Sequence, residues 1–345
     1  MEAMEQHVQT VRPYFEQNGH LLYLQNKTYD RYLHMHKVMV GERGSEELLA
    51  IGDELAGEEL PTYLDAAGWA YAEAGLASTE STTVERVARV AKAEALWQQS
   101  LEYQTAMREY LGDIDTTEVE GYRTAVNLAC APLIKSIIIG NVQEEILRSV
   151  LGSVAEIAQL SRKALDTAYG EGDTAAGAYH RGFLFEASAL MALLYMDDPR
   201  YVPLPATARG DTGYYHREQT HDISIINQHW GEIRKVIPVE IKSKASQRDK
   251  RRYKALIIPG RVRLSAEGVD PRETVNAFYD ITRGSASMRQ IASVEKIAAQ
   301  LREMLRLYQK GASVGETAVR SVTRFHESSV VAEQYPELVR RPPQV

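Results

Sequence analysis

Residues 1–170 read as helix throughout. Prolines are few, and apolar residues recur at spacings of three and four, the pattern of amphipathic α-helix. The predicted segments are about 3–17, 19–41, 45–56, 59–77, 82–111, 116–139 and 142–169. The breaks between them carry glycine: Gly41-Glu42-Arg43-Gly44, Gly112-Asp113 and Gly140-Asn141. A half-chain built this way must bury its apolar stripes helix against helix.

Within it, Ala66-Ala67-Gly68-Trp69-Ala70-Tyr71-Ala72-Glu73-Ala74-Gly75 is followed by Ala93-Glu94-Ala95-Leu96-Trp97-Gln98-Gln99-Ser100-Leu101. Small residues at that spacing let two helices approach closely. The pair resembles one unit of a tetratricopeptide-type repeat. No second copy is clear at a period of about 34 residues, and an irregular helical bundle fits the pattern equally well.

The character of the chain changes after Gly170-Glu171-Gly172-Asp173. A helix is predicted over 174–196, ended by Asp197-Asp198-Pro199, and a loop containing Pro203, Pro205 and Gly210 follows it to Gly213. Tyr214–Gln219, Asp222–Ile226, Lys235–Lys242 and Tyr253–Leu264 are rich in β-branched and aromatic residues and read as strands. Pro259-Gly260 bends or splits the last of these. Ala245–Arg252 is a short basic helix or turn. Residues 271–282 and 285–310 return to helix, and a polar tail begins at Gly311. The expected organisation is a helical domain over 1–170, an α/β domain with C-terminal helices over 171–310, and a tail over 311–345. The fold class is α+β: an N-terminal all-helical domain followed by a small mixed β-sheet flanked by helices.

Charge is unevenly placed. The whole chain carries a formal −7, but residues 234–263 hold eleven Lys or Arg against Glu240 and Asp249. That stretch is a net +9 in a chain otherwise at −16. A basic block in an acidic protein is an electrostatic footprint for a polyanion. Lys244, Arg248, Lys250, Arg251, Arg252 and Lys254 are the candidate nucleic-acid-binding residues.

The chemistry concentrates in two of the predicted strands. Asp222 opens one, and Glu240 lies eighteen residues later in Pro238-Val239-Glu240-Ile241-Lys242. Strand side chains alternate with period two, so Glu240 and Lys242 share one face while Val239 and Ile241 share the other. Hydrolysis of a phosphodiester needs an activated water and a place for developing negative charge. Carboxylates can hold a divalent cation that does both, and a neighbouring ammonium offsets charge at phosphorus. Upstream, Glu186 shares the apolar face of Phe183 and Leu190, where a carboxylate must be paired or bound to metal. A salt bridge to an arginine such as Arg181 or Arg217 is the plain alternative.

The order of a helix with Glu186, strands, Asp222 opening a strand, Glu240-Ile241-Lys242, a basic helix and a further strand resembles the PD-(D/E)xK nuclease superfamily, over about 175–264. The resemblance implies a restriction-endonuclease-like fold and Mg²⁺-dependent hydrolysis of DNA, with Mn²⁺ as a substitute cation. Asp222, Glu240 and Glu186 would be the metal ligands. Lys242 would contact the attacking water or the scissile phosphate. His221 stands where the family's name-giving proline would be. Gln247 stands near a polar position that some members carry on the next helix.

Other function classes find little support. No glycine-rich nucleotide loop or Gly-x-Ser-x-Gly elbow occurs. The single cysteine, Cys130, excludes an internal disulfide. The longest apolar runs, 126–140 and 183–196, are too short and too charged to span a bilayer. A cytoplasmic protein that acts on DNA and not on membrane is expected, with the helical half as a surface for a second copy or a protein partner. The rival reading is a non-catalytic helical scaffold or regulator whose sheet binds nucleic acid or protein.

Overall fold

A computed structural model of the chain describes residues 44–57, 61–77, 81–111, 117–170, 174–205, 222–229, 232–242, 255–258, 261–265 and 270–309. The helices expected before residue 42, the strand at 214–219, the basic segment 245–252 and the tail lie outside the described residues.

The helical half contains α1 (Ser45–Ala56), α2 (Pro61–Ala77), α3 (Thr83–Leu111), α4 (Thr117–Ile139) and α5 (Glu144–Gly170). Local chemistry fixes several ends. Thr82 and Glu85 form a reciprocal capping box at the start of α3: Glu85 Oε2 accepts from the Thr82 backbone N–H at 2.8 Å, and Thr82 Oγ1 accepts from the Glu85 N–H at 3.3 Å. The last carbonyls of α2 are satisfied from α3. Arg86 donates to Gly75 O at 2.7 Å and Leu76 O at 3.3 Å, and Arg89 donates to Ala74 O at 3.0 Å. α4 stops where Gly140 adopts φ 75°. The Asn141 N–H then reaches Ser136 O at 3.0 Å and the Gly140 N–H reaches Ile137 O at 3.1 Å, the paired bonds of a Schellman ending.

The small residues of α2 do what their spacing implies. Trp97 of α3 is fully buried against Gly68, and a Cβ built there would lie 2.4 Å from the indole Nε1. Trp97 in turn donates to Asp65 O at 3.1 Å and meets Trp69 edge to face, with ring centroids 5.2 Å apart. Gly68→Ala is therefore expected to destabilise by about 1–3 kcal/mol through overpacking, despite alanine's better helix propensity. At Gly152 of α5, where nothing lies within 4 Å of a built Cβ, the same change should stabilise by about 0.5–1 kcal/mol. Thermal melts of the two variants that moved in the same direction would contradict this account of the α2–α3 contact.

The remaining elements are α6 (Thr174–Tyr195), β1 (Tyr201–Pro205), β2 (Ile223–His229), β3 (Glu232–Lys242), β4 (Ala255–Ile258), β5 (Arg261–Ser265), α7 (Pro271–Thr282) and α8 (Met288–Gln309). The strands form one mixed sheet in the order β1-β2-β3-β5-β4. β1, β2 and β3 are antiparallel neighbours, β3 and β5 are parallel, and β4 and β5 are antiparallel. The chain is thus α+β. The loop expected around Pro203 and Pro205 is a strand instead. β1 is an edge strand, the place in a sheet where missing proline N–H groups are tolerated. The predicted strand at 253–264 is two strands, β4 and β5, separated at Pro259-Gly260.

α4 and α6 lie against β1, and α6 also touches β3. α7 packs on α5 and α6, and α8 packs on α6 and α7. Buried apolar side chains from Leu48 to Leu305 form one continuous cluster, so the core runs across residue 170, where the composition changes.

Candidate active site on the β2–β3 ribbon

The register of β2 on β3 decides where the two strand-borne acids meet. Ile223 pairs with Val239, Ser224 with Pro238 and Ile225 with Ile237. One step further along the same register sets Asp222 opposite Glu240. Hydrogen bonds hold it there: the Asp222 N–H donates to Val239 O at 2.8 Å, and Asp222 Oδ2 accepts from the Ile241 N–H at 2.5 Å. Asp222 thus brackets Glu240 by bonding the residues on either side of it. Opposed residues of an antiparallel pair share a face, with Cβ atoms about 4.5–5.5 Å apart.

The other face of the ribbon is apolar core, and the Glu240 face is buried as well, with Ser224 and Ile226 covered beside Glu240. Ile223, Ile225, Ile237, Val239 and Ile241 are all buried, as is Val262 of β5. Glu240 is itself only 4% exposed, while Asp222 is half-buried. Two carboxylate residues at opposed positions of one strand pair are a donor set that Mg²⁺ accepts when water and substrate phosphate complete its shell, although one Asp222 oxygen is already engaged by the Ile241 N–H. Lys242 follows Glu240 by two positions at the end of β3.

The parallel neighbour adds a residue absent from the sequence-derived site. β5 aligns Arg263 with Glu240 and Ser265 with Lys242. The signal was present in Arg261-Val262-Arg263-Leu264, whose charged and apolar residues alternate. What the sequence could not give was the strand beside which that alternation falls.

Glu186 is held by an arginine. It sits on α6 between buried Phe183 and Leu190, and Arg123 of α4 grips it in a fork. Arg123 Nη2 donates to Glu186 Oε1 at 2.8 Å and Nε donates to Oε2 at 3.2 Å. The third guanidinium nitrogen, Nη1, donates to Glu120 Oε1 at 2.8 Å. The partner is thus Arg123 and not Arg181, which stacks over the Phe185 ring instead, 5.8 Å from its centroid. Among the described residues no three His, Cys, Asp or Glu side chains form a group able to hold a metal ion. The structure therefore brings Asp222 and Glu240 together without adding Glu186 to them. Lys244, Arg248, Lys250, Arg251, Arg252, Lys254 and Gln247 lie outside the described residues.

Other polar clusters are built for stability. Tyr71 donates to Asp53 and accepts from Lys92, which lies 4.1 Å above the centre of its ring. Burial and the Asp53 bond push the Tyr71 hydroxyl up, and the Tyr71 bond pushes the Lys92 ammonium up. Both groups are held in their protonated forms, the reverse of what a general base needs. Ser161 Oγ and His180 Nδ1 are 2.9 Å apart, but both residues are buried. Cys130 is fully buried, which pushes its thiol up and leaves it unreactive.

Among the described residues no helix is long and apolar enough to cross a membrane. Comparisons with protein-family models, with curated proteins and with solved structures returned no match.

Proposed function

We propose that the protein is a metal-dependent nuclease that hydrolyses DNA phosphodiester bonds at the β2–β3 ribbon. The observation that carries this reading is the register that sets Asp222 opposite Glu240, with Lys242 two residues on at the end of β3. The order of elements supports it. A helix bearing an acid leads into three antiparallel strands, and the third of these gains a parallel neighbour from further along the chain. That order of helix and strands is the one on which the resemblance to the PD-(D/E)xK superfamily rests, and a restriction-endonuclease-like sheet is part of the proposal.

Asp222 and Glu240 would hold Mg²⁺, or Mn²⁺ in its place. The bound cation would supply a water of lowered pKa and charge against the phosphoryl oxygens. The residues of the chain perform the rest. The buried apolar face beneath the ribbon fixes the two carboxylates on a rigid support, so that their geometry need not be organised at each turnover. Lys242 orients the attacking water or the scissile phosphate and offsets the negative charge that develops at phosphorus. The basic residues of 244–254 hold the remaining phosphates of the strand. Glu186 serves as the Arg123 partner that fixes α6 to α4, and its place among the metal ligands is not part of this reading.

The test is direct. Purified protein is expected to nick or degrade DNA with Mg²⁺ or Mn²⁺ and not with EDTA. Asp222→Ala and Lys242→Ala should each remove the activity while the protein stays folded. Undiminished cleavage by Lys242→Ala at equal purity would sink the assignment. The pairing of Glu186 with Arg123 favours a second reading, a non-catalytic helical scaffold whose sheet only binds nucleic acid or a protein. Under that reading the wild type binds DNA without cutting it.

A further inference from the structure

We propose that the buried face of α2 holds an internal site for one water molecule, which bridges the Trp69 indole N–H to the Glu73 carboxyl. Trp69 is fully buried and Glu73 is 2% exposed. Trp69 Nε1 and Glu73 Oε1 are both enclosed, and neither has a hydrogen-bond partner in the protein. Buried polar groups are almost always bonded, so each exception points to something that completes it. Here two exceptions fall at neighbouring positions, one a donor and the other an acceptor.

Helix geometry puts them side by side. Residues four apart lie on one face, with Cβ atoms about 5–6 Å apart. Side chains on a helix lean toward its N-terminus, which carries the Glu73 carboxyl back toward Trp69. The two groups nevertheless do not bond to each other. The indole is not free to swing, because its ring meets Trp97 edge to face with centroids 5.2 Å apart. Nearby polar groups find partners within the protein. The Trp97 indole donates to Asp65 O at 3.1 Å, Asn127 Nδ2 donates to Asp65 Oδ1 at 2.9 Å, and Ser100 Oγ donates to Pro61 O at 2.7 Å.

The guest must accept from an indole N–H and also meet a carboxyl. Burial keeps that carboxyl protonated up to about 8, so at neutral pH it is uncharged and can both give and accept a hydrogen bond. A cation is unsuited, because the indole N–H is a donor only. Among the described residues no group able to hold a metal ion forms. Water is small, donates and accepts, and is held in protein interiors by about two to four such contacts. A single enclosed molecule satisfies the two groups without replacing bulk solvent around a charge, so the carboxyl still resists ionisation.

The test uses the full chain near pH 6. A crystal structure fine enough to show ordered water is expected to place an oxygen within about 3 Å of both Trp69 Nε1 and Glu73 Oε1. Empty space there, or a direct bond between the two side chains, overturns the proposal. In solution, water ¹⁷O magnetic relaxation dispersion counts long-lived internal molecules. Trp69→Phe and Glu73→Leu should each lower the count by about one, and the double variant should also lower it by about one, since the same molecule serves both groups. Unchanged counts in the single variants overturn the site. Losses that add in the double variant mean two separate molecules and overturn the bridge. If either substitution prevents folding, the wild-type crystal structure decides alone.

Discussion

Arg123→Ala is expected to cost the fold about 3–5 kcal/mol, one of the largest losses a single substitution can cause here. The side chain is 11% exposed, and it holds Glu120 and Glu186, whose side chains are 10% and 27% exposed. Removing the guanidinium leaves two carboxylates in a largely dry space between α4 and α6, without the cation that balances them. The penalty is the stranded charge more than the lost attraction.

Arg123→Lys should recover little of this. The native contact is a fork, with two donors on one carboxylate and a third donor on another, and an ammonium cannot reproduce that plane. Glu186→Gln should cost less than Arg123→Ala, because Glu120 still faces the cation. Chemical denaturation of the three variants gives the order. An Arg123→Ala protein as stable as wild type would show that the fork is incidental. The same series bears on the site. A Glu186→Gln protein that keeps its Mn²⁺-dependent cleavage places Glu186 among the structural residues, and one that loses cleavage without losing stability returns it to the metal.

Much of this architecture was legible in the chain. Helix boundaries came out within a few residues wherever apolar periodicity met a breaker, as at Gly140, where the predicted break coincides with the left-handed residue that ends α4. The sequence placed Asp222 and Glu240 on successive predicted strands, but their register was not legible: the strands run on to His229 and back to Glu232, and one irregularity at Asn227–Gln228 shifts the count between them. β1 was missed because Pro203 and Pro205 read as loop, and edge position in a sheet is a tertiary fact that no local pattern states.

Glu186 shows the same limit in reverse. Its burial was legible from Phe183 and Leu190, but its partner lies on α4, 63 positions upstream. Helical periodicity says which face a residue occupies and not which helix faces it. Arg263 lay within the counted basic block, and only the crossing to a parallel strand puts it beside Glu240.

Glu73→Gln should make the protein more stable, and the gain should grow with pH. Glu73 lies in the middle of α2, 2% exposed, with Oε1 buried and without a hydrogen-bond partner. One turn earlier, the Trp69 indole N–H is likewise buried without a partner. Burial alone drives the Glu73 carboxyl from its ordinary 4.5 up to about 8. The folded protein therefore keeps a proton that the unfolded chain releases above pH 4.5. Stability from this group is fully present below pH 4.5, and it is lost as pH rises toward 8.

Between pH 4.5 and 7 the loss runs at about 1.4 kcal/mol per pH unit, or roughly 3 kcal/mol in all. Glutamine has the same length and no proton to hold, so it escapes this dependence. Its amide brings an extra donor into the same dry space, which offsets part of the gain by about 1 kcal/mol or more. Near pH 5 the two proteins should melt at similar temperatures, and by pH 8 the variant should lead clearly. Melting curves that run parallel from pH 5 to 9 would mean that Glu73 titrates alike in the folded and unfolded states, and that the interior of α2 is wetter than its burial implies.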